Sequence, residues 1–330
     1  MGVFHERSLG EQGGEEQRRR IDLPHIFEEV GEGKPMEMRR GTPSSLLDLP
    51  VNEGICFTTN KGKYSEKIMK QQTNILKSFS PFLKKILDPG EEIFLAVKAT
   101  SPTAVLEQFT IGWMFVYIKR CLLIFTNKRI LHFPTRANFS PKLSVAQIGY
   151  GDIEDIKLSG FLGRTLKMEY KSGKKEKFHY IPSREFKKLK TLIPNLATGA
   201  HPSAVMERYH LCPQCIAPLQ KDVFSCPGCH LEFKNLKQAI RLSLLFPGGG
   251  YFYAGHPMMG VGDAIVETVL IITLISVFIS AFTSPNPSAA WATIIPVAFF
   301  LSLEKMITIY DTKHFINEYI PADKNAVSKF

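Results

Sequence analysis

The sequence lacks the marks that the better-signposted chemistries leave. It has no Gly-x-Ser-x-Gly elbow, no phosphate-binding loop ending in Gly-Lys-Ser/Thr, no His-Glu-x-x-His pair and no carboxylate pair in a glycine-rich frame. These absences point away from hydrolase, nucleotide-hydrolysing and metalloprotease chemistry and towards a non-catalytic chain. An apolar leader is missing too: residues 1–20 are polar and end in Arg18-Arg19-Arg20, so the start of the chain is expected in the cytosol. Repeats and low-complexity tracts are lacking. Cysteine is scarce, with six in 330 residues, and four of these fall in two close pairs. In a reducing compartment that usage favours metal binding over disulfides. Acidic residues are thin between Lys119 and Lys190, where 17 Lys/Arg face 6 Asp/Glu; this +11 exceeds the whole-chain charge of +10. From Thr268 to Leu303 charge is absent altogether, over 36 residues.

The rest of the composition is ordinary, at 44% hydrophobic and 22% charged, and the length allows two or three domains. Residues 1–60 show no sustained period and are expected to be largely disordered, with apolar islands at Ile21 to Phe27 and Ile55 to Phe57 that pack locally or dock a partner. Residues 61–90 are expected to be helical, with apolar Tyr64, Ile68, Ile75, Leu76, Phe79, Phe82, Leu83, Ile86 and Leu87 on one face. Pro81 suggests two helices meeting there. Residues 91–196 read as about seven strands and a closing helix. The strands are Ile93 to Ala99, an apolar run Ile111 to Ile118 leading into Cys121 to Thr126, and Arg129 to Phe133. Val145 to Tyr150, Ile153 to Leu158, Leu166 to Tyr170 and Lys175 to Tyr180 follow. Ser183 would cap a helix to about Ile193. The stretches LLIFTNKRILHF (Leu122 to Phe133), IGYGDIEDIKL (Ile148 to Leu158) and LKMEYKSGKKEKFHYI (Leu166 to Ile181) resemble the bacterial pleckstrin-homology-like family, related in shape to GRAM domains. The resemblance implies a strongly bent seven-stranded sheet or barrel plugged by its C-terminal helix.

A small-residue linker, 197–208, leads to a cysteine segment at 209–235. Cys212-Pro-Gln-Cys215 and Cys226-Pro-Gly-Cys229 supply the four thiolates of one tetrahedral site, which suits a single structural zinc ion. Free thiols, a disulfide pair or iron are the alternatives. So small a module needs the metal's binding energy to fold. It resembles a zinc ribbon, with one departure: the position after each second cysteine, commonly glycine, holds Ile216 and His230. His210 and His230 flank the site and are read as outside the ligand set.

Residues 236–261, punctuated by Pro247, Gly248-Gly249-Gly250, Gly255 and Pro257, read as an interfacial helix and a re-entrant or surface loop. Residues 262–308 read as a transmembrane hairpin, with spans of about 262–282 and 288–308 broken by Thr283 to Ser288. The stretch LLFPGGGYFYAGHPMMGVGDA resembles TM2-type membrane hairpins. Lys234, Lys237 and Arg241 before the hairpin, and Lys305 and Lys313 after it, place both ends, and a tail of 309–330, in the cytosol by the positive-inside rule. The fold class expected is thus a multidomain α+β protein of the cytoplasmic membrane. Asp263 and Glu267 lie one turn apart at the membrane boundary, where acids at the start of a helix are favourable. Lys128, Arg129, Lys174, Lys175, Lys177, Arg184, Lys187, Lys188 and Lys190 form a basic face for anionic lipid or a protein partner. The expected role is a membrane-anchored adaptor. A channel or transporter subunit oligomerising through the hairpin, with Asp263 and Glu267 lining a path, is one alternative. A tethered nucleic-acid binder is another, disfavoured because no recognition helix is evident.

Overall fold

The computed structural model describes residues 48–160, 163–196, 202–283 and 287–323. The island Ile21 to Phe27 lies outside them.

Regular structure is present within residues 48–60, inside the segment expected to be largely disordered. Val51 bridges Ile93, and the short helix α1 (Glu53–Cys56) follows, with Asn52 capping it through the Ile55 N–H at 3.1 Å. Leu49, Cys56 and Phe57 are buried, so the island at Ile55 to Phe57 packs locally. Helix α2 (Glu66–Ile86) runs through Pro81 without a break. Pro81 and Lys77, whose carbonyl loses its helical donor, lie on the exposed side. The buried face, Ile68, Gln72, Leu76, Phe79, Leu83 and Ile86, continues across the proline. One packed stripe therefore overrides the local breaker.

Among the described residues eight strands form two sheets, seven of them before the cysteine module. β1 (Ile93–Thr100), β2 (Arg120–Thr126), β3 (Arg129–Pro134) and β4 (Val145–Gly149) pair antiparallel in that order. β5 (Ile153–Ser159), β6 (Thr165–Tyr170) and β7 (Lys175–Phe178) make the second sheet. A bridge between Thr100 and His179 ties the sheets at one end. The core lies between them. Leu95, Val97, Leu123, Phe125, Ile130 and Ile148 from the first sheet meet Leu166, Met168, Tyr170 and Phe178 from the second. Helix α5 (Ser183–Leu192) closes the barrel mouth with Phe186 and Leu189. Its N-cap is Pro182, without a side-chain bond, rather than Ser183. The first sheet is buried on both faces, because α2 lays Leu76, Phe79 and Leu83 over Ala96, Leu122, Ile124, Leu131 and Phe133.

The run Ile111 to Ile118 is helical, not extended. α3 (Val105–Ile111), a 3₁₀ turn (Gly112–Met114) and α4 (Phe115–Ile118) fill the connection between β1 and β2. A continuous apolar run has no period to separate strand from helix. Here it packs against the C-terminal helices, through Ile111 with Tyr251, Ala254 and Phe315.

Beyond the barrel, β8 (Tyr209–Leu211) pairs with β4 as a fifth strand of the first sheet, so the cysteine module grows directly out of the sheet. Helix α6 (Leu236–Leu245) stands where a short helix was expected, and helix α7 (Gly249–Ala254) where a loop was expected. Gly248, at φ 71°, turns between them. A Cβ on Gly249 would collide with the Leu242 carbonyl, and one on Gly250 with the Ser243 hydroxyl. Glycine here lets two helices touch backbone to backbone.

Two long helices follow, α8 (Pro257–Thr283) and α9 (Pro287–Ile316). Both are long and apolar enough to cross a membrane. Their apolar side chains face outward: Ile265, Val269, Ile272, Ile275, Ile279, Ile295, Phe299 and Phe300 are all exposed. Residues 317–323, after α9, turn back onto the cysteine module. Phe233 bridges Pro321, the Ala322 N–H donates to the Glu232 carbonyl, and Tyr319 is buried against the cysteine module.

Candidate metal centre and polar cluster

The two CxxC turns face each other. Sγ of Cys212 lies 3.5 Å from that of Cys229, and Sγ of Cys215 lies 3.4 Å from that of Cys226. All four sulfurs lie within 4.8 Å of one another. Four thiolates on a zinc ion are spaced about 3.8 Å apart, from a metal–sulfur bond of about 2.3 Å. The donor set therefore fits a closed four-sulfur site, with no position left for a substrate.

The turns are built alike. The Cys212 N–H donates to the Ala217 carbonyl and the Cys226 N–H to the Leu231 carbonyl, both at 2.9 Å. Ile216 and His230, where glycine is usual, take left-handed backbone at φ 63° and 57°. The knuckle geometry is thus kept without glycine, at a cost of about 1–2 kcal/mol per residue. Burial raises the Cys226 thiol, but the N–H groups of Cys229 and Gly228 and the neighbouring thiols outweigh it and bring it down to about 7. His210 is half-buried, stacks on Tyr319 at 4.8 Å and lies outside the four-cysteine cluster. Burial first, then the charge of Arg208, pulls its pKa down to about 3.

The nine expected basic-face residues do not form one surface. Arg129 is structural: it pairs with Glu91 at 2.8 Å and donates to the Ile86 carbonyl. Lys188 is buried and donates to the carbonyls of Cys56 and Thr58 at 3.1 and 2.7 Å. Burial pulls the Lys188 pKa down to about 8. These two are removed from the face. Lys174 pairs with Glu176 and Glu207, and Lys175 with Glu169. Arg184 donates to Gln71, and Lys190 sits over the Phe186 ring. Lys177 and Lys187 are exposed. Lys128 donates to the Pro89 carbonyl beside the β2–β3 turn. Register places this turn, and the β6–β7 turn with Lys174, at the end of the sheets opposite the Thr100–His179 bridge. The bridged end is the one that carries α3 and α4 to the C-terminal helices.

Sequence reasoning missed Arg208. It lies in the expected linker, yet its guanidinium is half-buried and grips Glu176 on β7. It also reaches Nδ1 of His132 at 3.2 Å, and His132 Nε2 meets Ser101 Oγ at 2.9 Å. Burial and the Arg208 charge hold His132 neutral. Lys119 and Lys142 were likewise unrecognised. They pair with Glu318 at 3.5 and 3.1 Å, and Lys119 also with Glu107 at 2.7 Å.

Asp263 and Glu267 do not stand alone. Glu304 on α9 completes a trio whose oxygens lie within 4.8 Å. Lys305 answers Glu267 at 2.6 Å and bonds the Ser243 carbonyl, while Thr308 donates to Asp263 and Glu304. Nearby, Asp311 accepts from Thr110 at 2.7 Å and from Tyr251 at 2.9 Å. A cleft of about 600 Å³ opens beside them, lined by Met114, Met258, Val266, Leu270, Phe300 and Leu303.

Residues 87–195 match a family model described as Bacterial PH domain. The match runs from just before β1 to just past α5 and stops short of the cysteine module. No curated protein and no solved structure matches the chain.

Proposed function

We propose that the chain is a non-catalytic, membrane-anchored binding protein. Its PH-like barrel docks a protein partner, one zinc ion on Cys212, Cys215, Cys226 and Cys229 staples the joint, and α8 and α9 span the bilayer. The observation that carries this reading is the outward-facing apolar surface of α8 and α9, on helices packed directly to the PH-like domain. A core helix of a soluble protein would be covered. With both ends cytosolic, the barrel stands on the inner face of the cytoplasmic membrane. The exposed lysines at the far end of the sheets, Lys128, Lys174 and Lys175, point the docking end away from the bilayer. An acidic protein surface suits them better than lipid.

The test uses the full chain with a photo-cross-linker at Lys128 or Lys175. The reading expects resistance to alkaline extraction and recovery of the same acidic protein from both positions. Release by carbonate, or capture of no common protein, would sink it.

A second reading draws on one observation. Asp263, Glu267 and Glu304 bring three carboxylates against the single ammonium of Lys305. Acids inside a membrane bundle can mark an ion path. Cation flux into liposomes that disappears in Asp263→Asn with Glu304→Gln would favour a channel role; flux unchanged by the pair would remove it.

A further inference from the structure

The β1–β2 connection carries large apolar side chains that nothing in the described chain covers. Val105 and Phe109 are each 85% exposed and Trp113 is 75% exposed, with Leu106 and Tyr117 about half exposed. Val105 and Phe109 lie one turn apart on α3. Trp113 and Tyr117 follow beyond Gly112, where left-handed backbone at φ 60° ends that helix, and their rings meet edge to face at 5.9 Å. The other side is equally apolar but occupied: Ile111, Met114, Phe115 and Ile118 pack on Tyr251, Ala254 and Phe315. The one acid in the segment, Glu107, is buried and held by Lys119. The segment thus presents apolar groups on both sides.

Its position is fixed by the long helices. Thr110 donates to Asp311, five residues before the end of α9 at Ile316. At 1.5 Å per residue that is about 7 Å inside the helix end. The cleft between Ile111, Met114, Met258, Leu270 and Phe300 makes the outer surfaces of the segment and of α8 and α9 continuous. Cationic and aromatic groups flank the segment on the barrel side, where Arg120 also donates to the Ala137 carbonyl. Arg120 sits over the Tyr117 and Phe139 rings at 4.6 and 4.9 Å, Lys98 over Phe139 at 4.4 Å, and Arg136 is exposed.

We infer that α3, the 3₁₀ turn and α4 form a second membrane contact, whose outer face is occupied by the headgroup–acyl boundary of an anionic bilayer. The inference rests on the proposed reading of α8 and α9 as spans. Once those helices cross, a segment bonded to Asp311 lies at the interface. There tryptophan, tyrosine and apolar side chains are favoured and basic groups meet lipid phosphates. The basic groups facing lipid are then Lys98, Arg120 and Arg136, at the bridged end of the sheets, rather than the lysines at the far end. A protein covering the same face would have to be threaded between the barrel and the bilayer.

The chain holds two tryptophans, Trp113 and Trp291, one in this segment and one on α9. Trp291→Phe isolates the first and Trp113→Phe the second. Each full-length variant is reconstituted into phosphatidylcholine–phosphatidylglycerol vesicles with bromine at shallow or deep chain positions. Trp113 is expected to lose about half its emission to shallow bromines, less to deep ones, and to resist aqueous acrylamide. Trp113 open to acrylamide and blind to bromine, while Trp291 is quenched by bromine, overturns the inference and leaves the spans standing. Trp113 shielded from both quenchers also overturns it, since a protein surface then covers the segment. If neither tryptophan responds to bromine, the membrane reading fails and this inference fails with it.

Discussion

Arg208 closes on Glu176 with Nε 3.0 Å from Oε2 and Nη2 3.0 Å from Oε1, a two-pronged pair buried between the strand ahead of the cysteine module and β7. Tyr170 adds its hydroxyl to the same carboxylate at 2.7 Å. Arg208→Ala would leave Glu176 buried without its partner. A loss of about 3–5 kcal/mol in denaturant unfolding is expected. Adding Glu176→Gln should recover part of it; a single variant as stable as the parent would show that the pair is not structural.

Acid should weaken the same fold. Burial raises the carboxyls of Glu176 and Glu318, but Arg208 beside the first, and Lys142 and Lys119 beside the second, hold both at about 2 against an ordinary 4.5. The folded chain therefore keeps this stabilisation above about pH 4.5 and loses it as pH falls towards 2. Each group contributes on the order of 3 kcal/mol, from about 1.4 kcal/mol per pH unit. Urea midpoints measured from pH 6 to pH 2.5 should fall across that window, and fall less in Glu176→Gln.

The cysteine centre gives a compositional readout. The purified chain should hold one zinc per chain by elemental analysis, and Cys215→Ser should hold little. Because Tyr319 donates to the Gln220 carbonyl and accepts from the Asp222 N–H, chelation should open two places at once. Limited proteolysis should speed up across 205–235 and across 317–323. Unchanged cleavage after removal of all four thiols would reject the stapling role.

His230 is exposed and left-handed, where glycine carries no Cβ penalty. His230→Gly should stabilise the module by about 1 kcal/mol, read as slower zinc loss to a chelator. A faster loss would mean that the histidine side chain, not the backbone, matters.

Gly249→Ala reverses the usual helix preference. Alanine in a helix ordinarily gains about 1 kcal/mol over glycine. Here the added methyl meets the Leu242 carbonyl, so overpacking should cost about 1–3 kcal/mol instead. Thermal unfolding in detergent checks the sign.

Local alternation made much of the barrel readable. Leu166, Met168 and Tyr170 are buried while Lys167 is exposed and Glu169 half-exposed, as a half-wet strand requires. The paired cysteines were equally plain, because their spacing is local. What escaped was set by distant contacts. Arg208 sat in a stretch that looked like a linker, and its partners, Glu176 on β7 and His132 on β3, are distant in the chain. Glu304 fell just past an uncharged run and looked like its boundary; α8, folded back beside α9, supplies its partners. The run at Ile111 to Ile118 had hydrophobicity without period, so its helical state was decided by Tyr251 and Phe315, well over a hundred residues away.

The return of the chain after α9 has a mechanical consequence. Besides the packing of α3 and α4, the barrel is joined to the helical bundle twice more, once through the chain from β8 and the cysteine module into α6, and once through Glu318 to Pro321 coming back. A single tether swivels; two attachments on different strands of traffic make a closed frame. Tilting the barrel on its helices requires breaking the Lys119 and Lys142 pairs with Glu318, so the barrel is held at one height and one angle, as a turret rather than a buoy.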